Sequence, residues 1–166
     1  PPRAEWGAEF VAQSLPLASM TIRLELGETR DGWFDMRNSG TRSWTTTATR
    51  LAPTPRDRAS ALADPSWLSP TRVSNVDAAT ATGQVGRFRI RLRGNTLGTF
   101  NQTFGLLQES VAWFADYGGP PDTQLQLRVE VVPRTDAGVQ EPDAGVAEPD
   151  AGMAQPDVGA IEPDAG

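Results

Sequence analysis

The sequence predicts an all-β fold: a two-sheet sandwich of antiparallel strands over residues 8–132, with a short extension at 1–7 and a disordered, acidic, low-complexity tail at 133–166. Three observations carry this. Apolar residues recur at every second position rather than every 3.6. Gly and Asn clusters separate the alternating runs at short intervals. The end of the chain repeats with a period of seven and carries a Pro and a Gly in each full unit, a composition that excludes a coiled coil.

In chain order, Ile22, Leu24 and Leu26 alternate with Arg23 and Glu25, and "GETRDG" follows as a turn. Phe34 and Met36 alternate with Asp35 and Arg37 up to "NSG" at 38–40. A long proline-rich connection, Pro53 to Arg72, contains one short helical turn at Ala59–Ala63. Phe88, Ile90 and Leu92 then alternate with Arg87, Arg89, Arg91 and Arg93, ending at "RGNTLG". Beyond "YGGPPD" at 117–122, Leu125, Leu127, Val129 and Val131 alternate with Gln126, Arg128 and Glu130. Each run reads as a strand with one face in the core and one in water.

The four arginines share a strand face at about 6.6 Å spacing, so neighbouring strands must neutralise them. Asp35 and Glu25 are the expected partners, on strands of the same sheet, with Trp33 beside them as a stacking surface. A nucleic-acid strip is the alternative, but it calls for a more basic body with exposed aromatics interleaved. Residues 1–134 hold all 15 basic residues and 13 of the 21 acidic ones, a balance of only +2, whereas residues 135–166 hold the other 8 acids and no base.

Every basic residue is Arg; the chain has no Lys, His or Cys. That removes the Ser-His-Asp triad, the Cys nucleophile, the Schiff-base lysine and His/Cys zinc ligation. No metal, cofactor or catalytic residue is expected. No apolar run approaches the ~18–20 residues of a membrane span. The chain starts at Pro1 without a signal-like segment and stops inside a repeat, which reads as a processed or excised piece. In the tail, "PDAGVAE", "PDAGMAQ" and "PDVGAIE" carry too little apolar area to offset an ordering entropy of about 1–2 kcal/mol per residue. Polyproline II and transient turns, spread by like-charge repulsion, are expected there. Calcium binding by its regularly spaced acids is the alternative, at a spacing unlike that of the calcium-binding β-helix repeats.

"WFDMRNSGTRSW", "GRFRIRLR", "GTFNQTFGLLQESVAWF" and "LQLRVEVV" together resemble the Ig-like four-tryptophan domain of the autophagy receptor Next to BRCA1. They more closely resemble its bacterial relatives, which recur in exported multidomain proteins of myxobacteria. "PRDR", "WL", "WF" and "GGPPD" follow in the same order, and the resemblance covers residues 8–132. It implies an Ig-like antiparallel β-sandwich with Phe34, Met36, Trp44, Phe100 and Phe104 in the core beside Phe88, Ile90 and Leu92. Of the four tryptophans, Trp44 fills one position, Phe34 and Phe104 stand at two, and one has no counterpart. The autophagy domain's peptide-binding role is therefore not carried over.

Two segments are candidate sites, since loops on a rigid sandwich commonly carry binding. In 53–72, Arg56, Asp57 and Arg58 either serve a ligand or pin the loop to the body while Trp67 covers the sheet edge. In Glu109 to Asp122, Trp113, Phe114 and Tyr117 lie near Asp116 and Asp122, as a sugar-binding surface requires. The alternative there is that Trp113 is core, Phe114 flanks it and "GGPPD" is a rigid turn. A glycosidase carboxylate pair needs a deep cleft that a small sandwich seldom forms. The expected function is a non-catalytic, exported Ig-like interaction or spacer module, secreted or on a bacterial cell surface, whose partner is a protein or cell-wall polysaccharide. One alternative is a carbohydrate- or peptidoglycan-binding module using Trp67, Trp113 and Tyr117. The other is a structural subunit assembling through sandwich edges.

Overall fold

The structure, a computed structural model, describes residues 4–135. The elements are β1 (Ala8–Gln13), β2 (Ile22–Glu25), β3 (Thr29–Asn38), β4 (Thr49–Thr54), β5 (Ser74–Asn75), β6 (Val85–Arg93), β7 (Gly98–Gln108), β8 (Ala112–Trp113), a 3-10 turn (Phe114–Asp116) and β9 (Leu125–Val132). One sheet has the order β1-β3-β6; the other runs β2-β9-β7-β4-β5, with β8 added to β7. The two sheets pack as an Ig-like sandwich.

The period-two pattern becomes burial directly. On β6, Phe88, Ile90 and Leu92 are buried between arginines, and on β9 Leu125, Leu127, Val129 and Val131 are buried between Gln126, Arg128 and Glu130. Phe34 of one sheet meets Phe104 of the other at 5.8 Å between ring centroids. Trp44 is fully buried between Phe88 (5.6 Å) and Phe114 (5.9 Å). Buried Asn38 closes the "NSG" turn: its Oδ1 accepts from the Gly40 N–H and its Nδ2 donates to Arg42 O and Thr80 O.

Four expectations need correction. The sandwich is not wholly antiparallel, because β2 runs parallel to β9, with Ile22 beside Val129 and Leu24 beside Val131. Alternation sets which face a side chain takes and is silent on strand direction. Phe100 is only half-buried at the rim of the core. The turn expected at Ala59–Ala63 is a single reverse turn from Ser60 O to Ala63 N–H (3.3 Å). The N-terminal extension is part of the body from Ala4: Trp6 is buried with its ring 5.9 Å from Phe114, and its carbonyl accepts from Gly118 N–H (2.9 Å). Gly7 and Gly118 make that approach possible, since a Cβ on Gly118 would lie 3.0 Å from Gly7 Cα. Of the expected repeat tail at 133–166, residues 136–166, with the calcium alternative, lie outside the described residues.

Candidate interaction site around Trp113

The β7–β8 hairpin pairs Leu107 with Trp113. Two guanidiniums lie over the Trp113 ring, that of Arg56 at 4.9 Å and that of Arg72 at 5.4 Å from its centroid. Arg56 is fixed by a bidentate pair with Asp116 (2.8 and 2.9 Å) and by its Nε on Asp122 Oδ2 (2.7 Å). Arg72, whose side chain is only 14% exposed, donates from Nε to Glu109 (2.8 Å) and from Nη2 to Asp57 (3.0 Å). Glu109 also accepts from Arg50 (2.9 Å). Asp57 sits at φ +59°, in the left-handed region that Asp tolerates better than most residues.

Charges alternate through the cluster, and their protonation follows. Hydrogen bonds from Arg56 hold the Asp116 carboxyl below the usual range. Hydrogen bonding from Arg72 does the same for Glu109. Burial would lower Arg72, but its bonds to Glu109 and Asp57 more than offset this and raise it. Asp116 is therefore an anion at neutral pH and holds no proton to donate. A groove of about 340 Å³ runs beside the cluster, with exposed Tyr117 and Val111 at its rim.

The structure thus joins Trp113, Asp116, Asp122, Arg56 and Asp57 in one network. Arg58 stays out of it: the residue is exposed, and among the described residues its bond is that of its main-chain N–H back to Pro55 O (3.3 Å). Phe114 and Trp113 exchange the places expected of them, since Phe114 is fully buried and Trp113 half-buried. A sugar stacks on an open ring face, and the ring face of Trp113 carries arginines. Trp67 is elsewhere: it is buried, and its Nε1–H donates to Arg91 O (2.7 Å). Arg50, Arg72 and Glu109 were not singled out from sequence; their pairing spans up to 59 positions and leaves no local pattern.

Trp67 belongs to a strap, residues 62–77, that covers the outer edge of β6. Asp77 N–H donates to Arg87 O (2.9 Å), Ser74 Oγ to Arg89 O (2.6 Å), Trp67 Nε1 to Arg91 O, and Arg93 N–H to Leu62 O (3.0 Å). An exposed strand edge invites pairing with another chain, and this one is occupied.

The arginine face is neutralised by aspartates. Arg87 forms a bidentate pair with Asp35 (2.8 and 3.0 Å) and stacks 3.8 Å from the Trp33 centroid. Arg91 pairs with Asp31 (2.6 and 3.2 Å), and Arg89 reaches Asp77 (2.6 Å). Glu25 was expected in the same sheet, but β2 lies in the other one. Asp31 was expected in the "GETRDG" turn, but β3 already begins at Thr29, so Asp31 stands on the strand two before Trp33; Asp77 comes from the strap and was not expected either. Arg93 is half-buried opposite Thr29. Burial would raise the nearby Asp64 carboxyl, but hydrogen bonds from Ser66 and the charges of Arg91 and Arg93 hold it low.

Among the described residues no group of three or more His, Cys, Asp or Glu is placed to hold a metal, and no helix is long and apolar enough to cross a membrane. Fold and site together define a two-sheet β-sandwich module whose outer Trp113 and Trp33 are each covered by arginines held in carboxylate pairs. No protein-family model matches the chain, and none of the curated proteins does. Among solved structures it is similar to the CARDB domain of a Pyrococcus furiosus protein, in a solution structure at 8% identity over 80% of this chain and 98% of that one, TM-score 0.45. The crystal structure of that domain in complex with di-metal ions is similar at 9% identity over 78% and 90%, TM-score 0.43. A β-glucosidase from Listeria innocua in complex with glucose is similar at 11% identity over 77% of this chain and 16% of the enzyme, TM-score 0.34. Likenesses this distant lend no residue of the chain a role.

Proposed function

We propose that the chain is a non-catalytic, exported Ig-like interaction module of a larger bacterial protein, related to the bacterial four-tryptophan domains and joined to an acidic spacer. The observation that carries the reading is the commitment of the carboxylates around Trp113: Asp116, Asp122 and Glu109 are each bonded to a guanidinium, in a chain without His, Lys or Cys. Carboxylates held this way stabilise a surface and leave no general acid and base facing a cleft. The kinship rests on the ordered motifs, with Trp44 in the core and Asn38 closing the turn. The partner is a protein or a cell-wall polysaccharide.

The test combines two measurements on the full chain. No turnover of polysaccharide, peptidoglycan or peptide substrates is expected, and the native protein is expected outside the cytoplasm on cell fractionation. Hydrolysis lost in Asp116→Asn or Asp122→Asn would overturn the non-catalytic reading. A second reading, a carbohydrate- or peptidoglycan-binding module, has the exposed Tyr117 at the groove rim in its favour. It expects retention on peptidoglycan that Tyr117→Ala abolishes; unchanged retention in that variant removes it.

A further inference from the structure

We propose that β1 is the edge through which the body pairs with a second copy of itself, two β1 strands lying antiparallel about a two-fold axis between Val11 and Ala12. The proposal deepens the reading of an interaction module by naming the contact and its partner.

The edges at β6, β5 and β2 are closed. The strap covers β6 as described. β5 pairs with β4 on one side and hands Ser74 Oγ to β6 on the other. At β2, the Arg23 carbonyl accepts from Arg30 Nη2 (3.3 Å), and Glu25 N–H donates to Glu28 Oε1 (2.8 Å), so two side chains cap the main-chain groups there. β1 differs. Ala8 N–H donates to Gly119 O (2.9 Å), which marks the direction away from β3, and Ser14 N–H turns back to Trp33 O (3.1 Å). Alternation with the bulge between Phe10 and Ala12 then directs the main-chain groups of Phe10 and Gln13 outward. Among the described residues no hydrogen bond reaches those outward groups.

The side chains suit a copy of the same strand. From Phe10 to Ile22 no residue is charged, in a chain where 22% are. Natural edges are commonly protected by such charges. Phe10 and Val11 are exposed at 37% and 42%, and Leu17 and Met20 at 59% and 65%. Phe10, Gln13 and Leu17 also line a groove of about 270 Å³ against the start of β9. Centring the two-fold between Val11 and Ala12 pairs Phe10 with the partner's Gln13, each offering one N–H and one C=O. Glu9 then faces the partner's Ser14, so no like charges oppose one another. One strand pair and four apolar side chains fall below the roughly 1,200 Å² of a stable interface, which makes the contact weak and concentration-dependent.

The test is sedimentation velocity on the full chain from about 10 μM to about 1 mM, at ionic strength near 0.15 M to screen its net charge of −6. A rising sedimentation coefficient is expected. Val11→Lys and Val11→Glu, at an exposed position, are each expected to weaken association about tenfold with an unchanged melting curve, by placing like charges at the axis. An equimolar mixture of the two variants is expected to recover it. A monomer throughout the range, association untouched by either variant, or capture of a foreign extended peptide without self-association would overturn the proposal. Those results leave the non-catalytic reading standing, whereas substrate turnover would sink that reading and leave the pairing measurable.

Discussion

Trp67 reaches across the end of β6 to donate its indole N–H to the Arg91 carbonyl at 2.7 Å, so a side chain from a loop occupies a position that a further strand would take. Trp67→Phe keeps most of the buried ring but leaves that carbonyl without its donor, at a cost of about 1–3 kcal/mol. Urea denaturation measures the loss. A parallel rise in aggregation of the folded state is expected, because the β6 edge becomes available.

Arg56 ties Asp116, Asp122 and Trp113 together. Arg56→Ala removes charge-assisted bonds that contribute about 1.5–3 kcal/mol each at buried sites and less here, where the side chain is 31% exposed. A net loss of about 1–2 kcal/mol is expected, together with a red shift of Trp113 emission. Arg56→Lys restores only part of it, since an ammonium makes no bidentate fork with Asp116.

Gly105 lies against Asp122, and a Cβ there would stand 2.8 Å from Asp122 Oδ1 and 3.3 Å from Thr54 Cγ2. Gly105→Ala is therefore expected to push Asp122 off Arg56 and destabilise by about 1–3 kcal/mol, the usual range for overpacking. An unchanged unfolding midpoint would contradict this geometry.

Trp6 is a core residue of a segment that looks like an extension. Removing residues 1–7 discards its ring from against Phe114 and is expected to cost about 3–5 kcal/mol, read from the denaturation midpoint.

Acid stability follows from the carboxylates that arginines hold low. Asp116, Asp31 and Glu109 are depressed from ordinary values of 3.8 and 4.5. A depressed folded-state value contributes stability that is complete above the unfolded value and is lost as pH falls through the folded one. Stability is thus expected to be level between pH 8 and 5, where a chain without His has almost nothing to titrate, and to decline below about pH 4.5. Glu109→Gln should flatten that decline; a transition centred near pH 6.5 would contradict the assignment.

How much was legible depended on range along the chain. The inward face of β6 and the pairing of Asp35 with Arg87 were readable, because period two places side chains on faces and a stacked Trp33 marked the neighbouring strand. The strand of Glu25 was expected in the wrong sheet because alternation does not say which sheet a strand joins. Trp113 and Phe114 are adjacent aromatics, and no local feature distinguishes the one that turns inward. Trp6 has no periodic neighbours in sequence, and its burial depends on the close approach of Gly7 and Gly118, which no local pattern shows.

The sequence by itself determined the layer class, the identity of most inward side chains, the absence of His, Lys and Cys chemistry, and the change in composition after Thr135. These are properties of single residues and of spacings within one strand, fixed by backbone geometry. Only the tertiary structure decided the parallel β2–β9 pair, the aspartates that neutralise each arginine, the guanidiniums over Trp113 and which strand edges are closed. Each of these is a meeting of segments up to a hundred or more positions apart, and such meetings depend on how the two sheets bury their faces together rather than on any pattern within reach of one strand.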